Sequence, residues 1–419
     1  MSVYKRGKSW SYSIDVGRDE QGRRRRVYEH GFRTKRAAQD ARAAAVTARR
    51  GGVHVDPSKV TLQQFLLEQW LPRKMPREKR LAMLAIEQGR SVDEVQLDGS
   101  DDPDGDHAGR VKLGTYHAYE SRLRVHVIPA LGGIRMQELV GAQVEGLMVA
   151  MADRGLSPKT VKNTYGILNK ALGDAVRWGL IVRNPCDVVE APRVGRADFE
   201  SWTLDEVRAF LAAIESDEYL AAWLVFINTG MRRGELAGLT WPNIDLDAGE
   251  LTIRWTVTES RGDTLWSGPK TKKGARRMAL DPVTVAELRR WRSRQAEQRL
   301  LAGPAWQRTN GDSFGQQMPD VVFTYPDGSM IRPQTWRRML HRVCDANGLR
   351  RVSPHALRHT YATLALQRAE SMADMKALSD RLGHATISFT LDRYAESLPD
   401  RDRKLAADVA ALWHGADMP

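Results

Sequence analysis

The sequence predicts an α+β, mainly helical fold in three parts. These are a small N-terminal β-sheet-plus-helix unit, a helical middle, and a mixed α/β, mainly helical C-terminal unit. Three observations carry this. Two short strand-like stretches near the N-terminus precede an alanine-rich run. Apolar residues at helical spacing fill residues 60–192. Strand-like stretches at 251–258 and 276–280 then interrupt an otherwise helical C-terminal half.

With 419 residues, two or three domains are the natural expectation, and 42% hydrophobic residues suffice for packed cores. The 64 Lys+Arg against 52 Asp+Glu leave +12, which points toward nucleic acid or another anionic surface. Residues 1–50 hold 14 Lys/Arg and 5 Asp/Glu, a local balance of +9. Most of the net charge therefore forms a separate electrostatic footprint. The two cysteines, Cys186 and Cys344, are far apart and lack metal-ligand neighbours, which argues against a disulfide frame or zinc site and fits a reducing cytoplasm. No apolar run reaches about 18 residues, so no membrane span is expected. MSVYKRGKSW has no apolar core after its charges and is not a signal peptide.

The first unit has strand-like residues 9–14 and 24–28 joined by turn residues 17–22. Thr34 suits the cap of a helix over 35–49, stopped by Gly51-Gly52. Arg23, Arg24, Arg25 and Arg26 make it a candidate DNA-binding module, though a solvated basic extension fits its composition equally. The middle should hold helices starting at Thr61 (Leu62, Phe65, Leu66, Trp70), over 115–127 and over 136–154. A further helix starts at Ser157-Pro158, with Val161, Tyr165, Leu168, Leu172 and Val176 on one face. Lys159 and Lys162 decorate it as DNA-binding candidates, and Gly179 and Pro185 end it. The acidic DGSDDPDGD at 98–106 reads as an exposed, mobile insertion. Residues 191–202 read as a linker, and Thr203 with Glu206 forms a capping box that opens the last unit.

Four short motifs carry candidate chemistry. In Thr229-Gly230-Met231-Arg232-Arg233-Gly234-Glu235-Leu236, an apolar helix ends at Gly230 and another begins at once. Arg232 then sits at a helix start that already favours an anion, and Glu235, three residues on, can orient an arginine. Pro269-Lys270-Thr271-Lys272-Lys273-Gly274-Ala275-Arg276-Arg277 falls between strand-like segments and reads as a hairpin loop, where a lysine can serve as point charge or proton donor. In Ser353-Pro354-His355-Ala356-Leu357-Arg358-His359, Ser353 suits the N-cap, and His355 and Arg358 share a face beside a positive helix terminus. His359 points aside and suits a structural role. The fourth motif is Leu382-Gly383-His384 followed by Tyr394. Taken singly, each reads equally well as a helix junction, a basic turn or a packing residue.

Their ordered conjunction resembles the tyrosine recombinase family, which includes phage integrases. The resemblance covers roughly residues 60–400 and is strongest at 203–396. It implies an arm-type DNA-binding domain at 1–55, a helical core-binding domain at 58–192 with an insertion at about 73–110, and a catalytic domain at 200–419. It implies catalytic roles for Arg232, Lys270, His355, Arg358, His384 and Tyr394, with Glu235 in support. The ten-residue spacing from His384 to Tyr394 is one longer than in the Xer subgroup and occurs among phage integrases.

The family chemistry suits these residue types. Arginines grip a phosphodiester's oxygens, and His384 adds a hydrogen bond to the growing charge. Tyr394 attacks phosphorus, His355 accepts its proton, Lys270 protonates the departing 5′-hydroxyl, and a 3′-phosphotyrosine conserves the bond energy. No cofactor is expected, as there is neither a carboxylate cluster for Mg²⁺ nor a P-loop.

Tyr361 is the rival nucleophile, but its apolar helical neighbours favour packing. The helix expected over 399–413, with Leu405, Val409 and Leu412 on one face, would dock on its own domain or, as the resemblance implies, on a neighbouring subunit. The implied function is site-specific integration and excision of a phage or other mobile element in a bacterial cytoplasm. Expected partners are duplex core and arm attachment sites, a homotetramer on DNA, and host DNA-bending and directionality proteins, with no membrane. A type IB topoisomerase and a non-catalytic DNA-binding regulator are the alternatives.

Overall fold

The computed structural model describes residues 3–18, 22–50, 55, 57–88, 110–195, 201–268 and 275–383. They fall into two compact units, Met1–Met75 with His107–Arg196 and Pro76–Asp106 with Ala197–Pro419. Lys270, His384, Tyr394, the acidic stretch 98–106 and the helix expected over 399–413 lie outside the described residues.

The first unit opens with the antiparallel strands β1 (Val3–Arg6), β2 (Ser9–Arg18) and β3 (Arg24–Phe32), in the order β1-β2-β3. Two strands were expected; the third, β1, is too short and too basic to show alternation. Helix α1 (Lys35–Arg50) packs on β2, and Thr34 Oγ1 accepts from the backbone of Ala37 at 3.1 Å as its cap. Tyr12, Ile14 and Ala38 are buried, and the Tyr12 and Phe32 rings lie 5.6 Å apart.

The helical part begins with α2 (Leu62–Gln64), which runs through a π-helical stretch, Phe65–Trp70, into α3 (Leu71–Lys74). Helix α4 (Arg77–Gln88) belongs to the second unit; back in the first, α5 (Leu113–Arg122) likewise runs through a π stretch, Leu123–Val127, into α6 (Ile128–Leu131). Both π stretches stand just before a proline, Pro72 and Pro129, whose missing N–H and ring bulk widen the preceding turn. The helix expected over 136–154 is shorter. Leu139 and Val140 are extended, so α7 spans Gly141–Asp153 behind a single 3-10 turn. Helix α8 (Pro158–Arg177) follows the expectation, with Ser157 as N-cap and Val161, Tyr165, Leu168 and Leu172 buried. Inside this unit the buried Asp174 accepts from Trp70 Nε1 at 2.7 Å and pairs with the buried Lys74 at 3.0 Å.

Trp202 corrects the linker assignment. It is buried, its N–H donates to Thr360 Oγ1 at 2.8 Å, and its indole donates to the Arg350 carbonyl at 3.0 Å. The apolar area of a tryptophan is worth too much to leave in solvent. The Thr203–Glu206 capping box opens α9 (Leu204–Ala213), and α10 (Leu220–Thr229) and α11 (Arg233–Ala237) follow.

The next strands are β4 (Ile244–Asp245), β5 (Glu250–Ile253), β6 (Thr256–Ser260), β7 (Asp263–Ser267) and β8 (Arg276–Ala279). One sheet has the order β4-β5-β8, and β6 pairs with β7 as a separate hairpin. The single strand expected over 251–258 is therefore two strands. The two strand-like segments expected to flank the Lys270 motif do pair antiparallel, as β5 with β8, but β6 and β7 are inserted between them as a hairpin of their own.

Helix α12 (Pro282–Ala302), the hairpin β9 (Thr309–Gly311) and β10 (Gln317–Pro319), and helices α13 (Pro333–Ala346), α14 (Pro354–Arg368) and α15 (Met372–Leu382) complete this unit. Its core centres on aromatic rings; Trp223 and Trp336 meet edge to face at 5.5 Å, and Phe210, Trp291 and Phe323 pack nearby. Among the described residues, no helix is long and apolar enough to cross a membrane.

Candidate active site

The site is built where α10 ends. Gly230 takes the left-handed conformation there (φ 61°) and turns the chain into the start of α11. A Cβ at this position would come within 2.6 Å of Tyr361 Cδ1, so the close approach of α14 also requires glycine. Arg232 is extended and immediately precedes α11.

Glu235, in the first turn of α11, accepts from the Arg232 backbone N–H and from Arg232 Nη1, both at 2.8 Å. The same carboxylate receives both arms of the buried Arg276 guanidinium, at 3.0 and 2.8 Å. Such a forked pair fixes direction as well as charge. Burial pushes the Glu235 carboxyl up. The hydrogen bonds and charge of Arg276, helped by Arg232, outweigh this and hold it down to about 2. Arg232 itself keeps 45% of its side chain exposed, so a buried ion pair holds an accessible guanidinium in place.

Arg276 was not expected to take part. In sequence it ends a basic turn; in the structure its Nε also donates to the Arg381 carbonyl at 2.6 Å. Arg381 in turn donates to the carbonyls of Asn228 and Ala279 at 2.9 Å each, tying α15 to α10 and β8. The alternation of β8 was the only available signal, since Arg276 and Met278 point inward while Arg277 points out.

Arg358 lies on α14, capped as expected by Ser353, whose Oγ accepts from Ala356 N at 3.1 Å. Its side chain is buried. Nη1 donates to the Gly230 carbonyl at 2.9 Å and Nη2 to the Leu382 carbonyl. These carbonyls belong to the C-terminal ends of α10 and α15, where the helix dipoles favour a cation. Arg358 thus places its charge directly behind the turn that presents Arg232. His355, one turn earlier, differs from it in being exposed. The two do not share a solvent face, and the His355 ring instead meets His359 edge to face at 4.4 Å. The buried His359 fits its expected packing role.

Tyr361 packs on Gly230, with the Arg381 guanidinium 5.7 Å from its ring centre. Burial raises its phenol above the ordinary range, an effect the Arg381 charge opposes. A phenol that ionises less readily is a poorer nucleophile, so packing accounts for this residue. Among the DNA-binding candidates, Arg23, Arg26, Lys159 and Lys162 are exposed, while the side chains of Arg24 and Arg25 on β3 lie outside the described set.

Known proteins resemble this chain in sequence and in fold. Residues 200–401 match the phage integrase family, and residues 2–45 match an arm DNA-binding domain. A tyrosine recombinase XerC-like protein of Caldanaerobacter subterraneus subsp. tengcongensis is 25% identical over 412 residues, covering 94% of each chain. The ICEBs1 integrase of Bacillus subtilis is 27% identical, covering 65% of this chain and 70% of the relative. The Tn1549 transposon integrase, solved in complex with a circular intermediate DNA, shares the fold with a TM-score of 0.58 at 19% identity, over 79% of this chain and 99% of that one. Residues 200–401 thus form a domain of the tyrosine recombinase, or phage integrase, family of enzymes that cleave and rejoin DNA.

Proposed function

We propose that this protein is a site-specific recombinase that integrates and excises a mobile DNA element through a 3′-phosphotyrosine intermediate. The observation that carries the reading is the exposed Arg232 guanidinium, pinned by the buried Glu235–Arg276 pair and backed by the charge of Arg358. Preorganised positive charge is what a phosphodiester anion needs, because no reorganisation remains to be done as the transition state forms.

In this reading Tyr394 attacks phosphorus, and its proton passes to His355. Arg232, Arg358 and His384 stabilise the charge on the non-bridging oxygens. Lys270 protonates the departing O5′. A 5′-hydroxyl from another strand reverses the step and reseals the DNA, with no net loss of bond energy.

The relatives named as integrases and the arm DNA-binding match at 2–45 support a division of labour along the chain. Residues 1–55 hold arm-type sites through Arg23, Arg24, Arg25 and Arg26. Residues 58–192 embrace the core site, with Lys159 and Lys162 toward phosphate. Residues 200–419 carry the chemistry. The working assembly is a homotetramer on duplex DNA in a bacterial cytoplasm, aided by host DNA-bending and directionality proteins.

The test is a denaturing gel of the protein with a nicked attachment-site oligonucleotide. Tyr394→Phe should abolish the covalent protein–DNA band while DNA binding persists. A persistent band would overturn the assignment.

A further inference from the structure

Strand β7 has two edges. By register, Asp263, Leu265 and Ser267 stand opposite Ser260, Thr258 and Thr256 of β6. In a hairpin of this register, the alternate residues Thr264 and Trp266 turn their peptide groups to the other edge. Both are buried, so those groups need partners. The turn between β9 and β10 supplies them. Thr264 N donates to Ser313 Oγ at 2.9 Å, Ser313 N donates to the Thr264 carbonyl at 2.9 Å, and Trp266 N donates to Asp312 Oδ2 at 2.8 Å.

The other carboxylate oxygen of Asp312 accepts from Phe314 N at 2.8 Å and Gln316 N at 3.0 Å. One side chain thus builds the turn and clamps it to β7. Lys270 follows the end of β7 by three positions in the chain.

We propose that Asp312 is a positioning residue for proton delivery to the leaving group, acting by holding the strand that leads into Lys270. The proposal rests on the reading of Lys270 as the acid. During cleavage the bond from Tyr394 Oη to phosphorus forms and the phosphorus–O5′ bond breaks. The electron pair goes to O5′, which takes a proton from the Lys270 ammonium. A slackened β7 should slow this proton transfer and leave the attack untouched.

Asp312→Asn is the informative variant. It keeps the shape but retains one oxygen, which cannot serve both the turn and Trp266 N. Ser313→Ala weakens the same edge at Thr264 and is the second variant. The measurement is single-turnover cleavage of two nicked substrates that differ only in oxygen or sulfur at the scissile 5′ position. A thiolate leaves without help, since a thiol ionises near pH 8.5.

Asp312→Asn should cleave the oxygen substrate about 10-fold slower, a fraction of what a general acid supplies, and the sulfur substrate at the wild-type rate. Lys270→Ala should show the same rescue with a larger defect. If sulfur fails to rescue Lys270→Ala, the reading of Lys270 falls and this proposal with it. If it rescues Lys270→Ala, while Asp312→Asn is either equally slow on both substrates or unimpaired on oxygen, the role of Asp312 alone is overturned.

Discussion

A carboxylate gripped by two guanidinium groups titrates far from its usual range, and Glu235 does so near 2 instead of 4.5. Its folded pKa is depressed. The stability it contributes is therefore present above 4.5 and is lost as the pH falls toward 2. Glu235→Gln leaves the Arg276 charge buried without a counter-ion, which should cost about 3 kcal/mol at pH 7. Urea unfolding should show this gap to wild type narrowing steadily as the pH falls from 4.5 to 2. Tyr361→Phe should leave the covalent adduct intact on a denaturing gel, because its ring packs and its hydroxyl ionises poorly. At this scale, Arg232 and Glu235 were legible because a helical turn relates them. Arg276 was not, because it meets Glu235 only through the placement of β8, 41 positions away.

Between elements, the turn at Gly230 sets the geometry. Two constraints meet there, a left-handed backbone and the face of Tyr361. Gly230→Ala should destabilise the protein by about 2 kcal/mol through strain and overpacking, visible as a lower Tm, and should reduce cleavage by displacing Arg232. Helix starts were readable because capping is local. Ser157-Pro158, Thr203 with Glu206, and Ser353-Pro354 each carry their own hydrogen-bond solution. The strand partners were only partly readable, since 251–253 does meet 276–278 as the expected hairpin required. A run of β-formers over 251–258 does not reveal that it breaks at Arg254-Trp255, nor that its second half turns back to pair with β7.

Across the whole molecule, the uneven charge makes a separable expectation. Deleting residues 1–55 should spare cleavage of a core-site oligonucleotide and remove integration, as read from a cleavage gel beside an integration assay. Intact protein should bind DNA less tightly as salt rises, with a steep slope of log affinity on log salt, because Lys and Arg contacts release counter-ions. The sequence alone determined the basic N-terminal footprint, the helical periodicity, the helix starts that carry their own Ser or Thr cap and the order of the charged motifs. All of these depend on interactions within a few residues or on composition. Only the tertiary structure decided that Trp202 is core, that Arg276 completes the Arg232–Glu235 pair, that Arg358 is buried behind Gly230, and that Asp312 clamps β7. Each of these depends on which distant segments meet when apolar surface is buried, and local propensity carries no record of that choice.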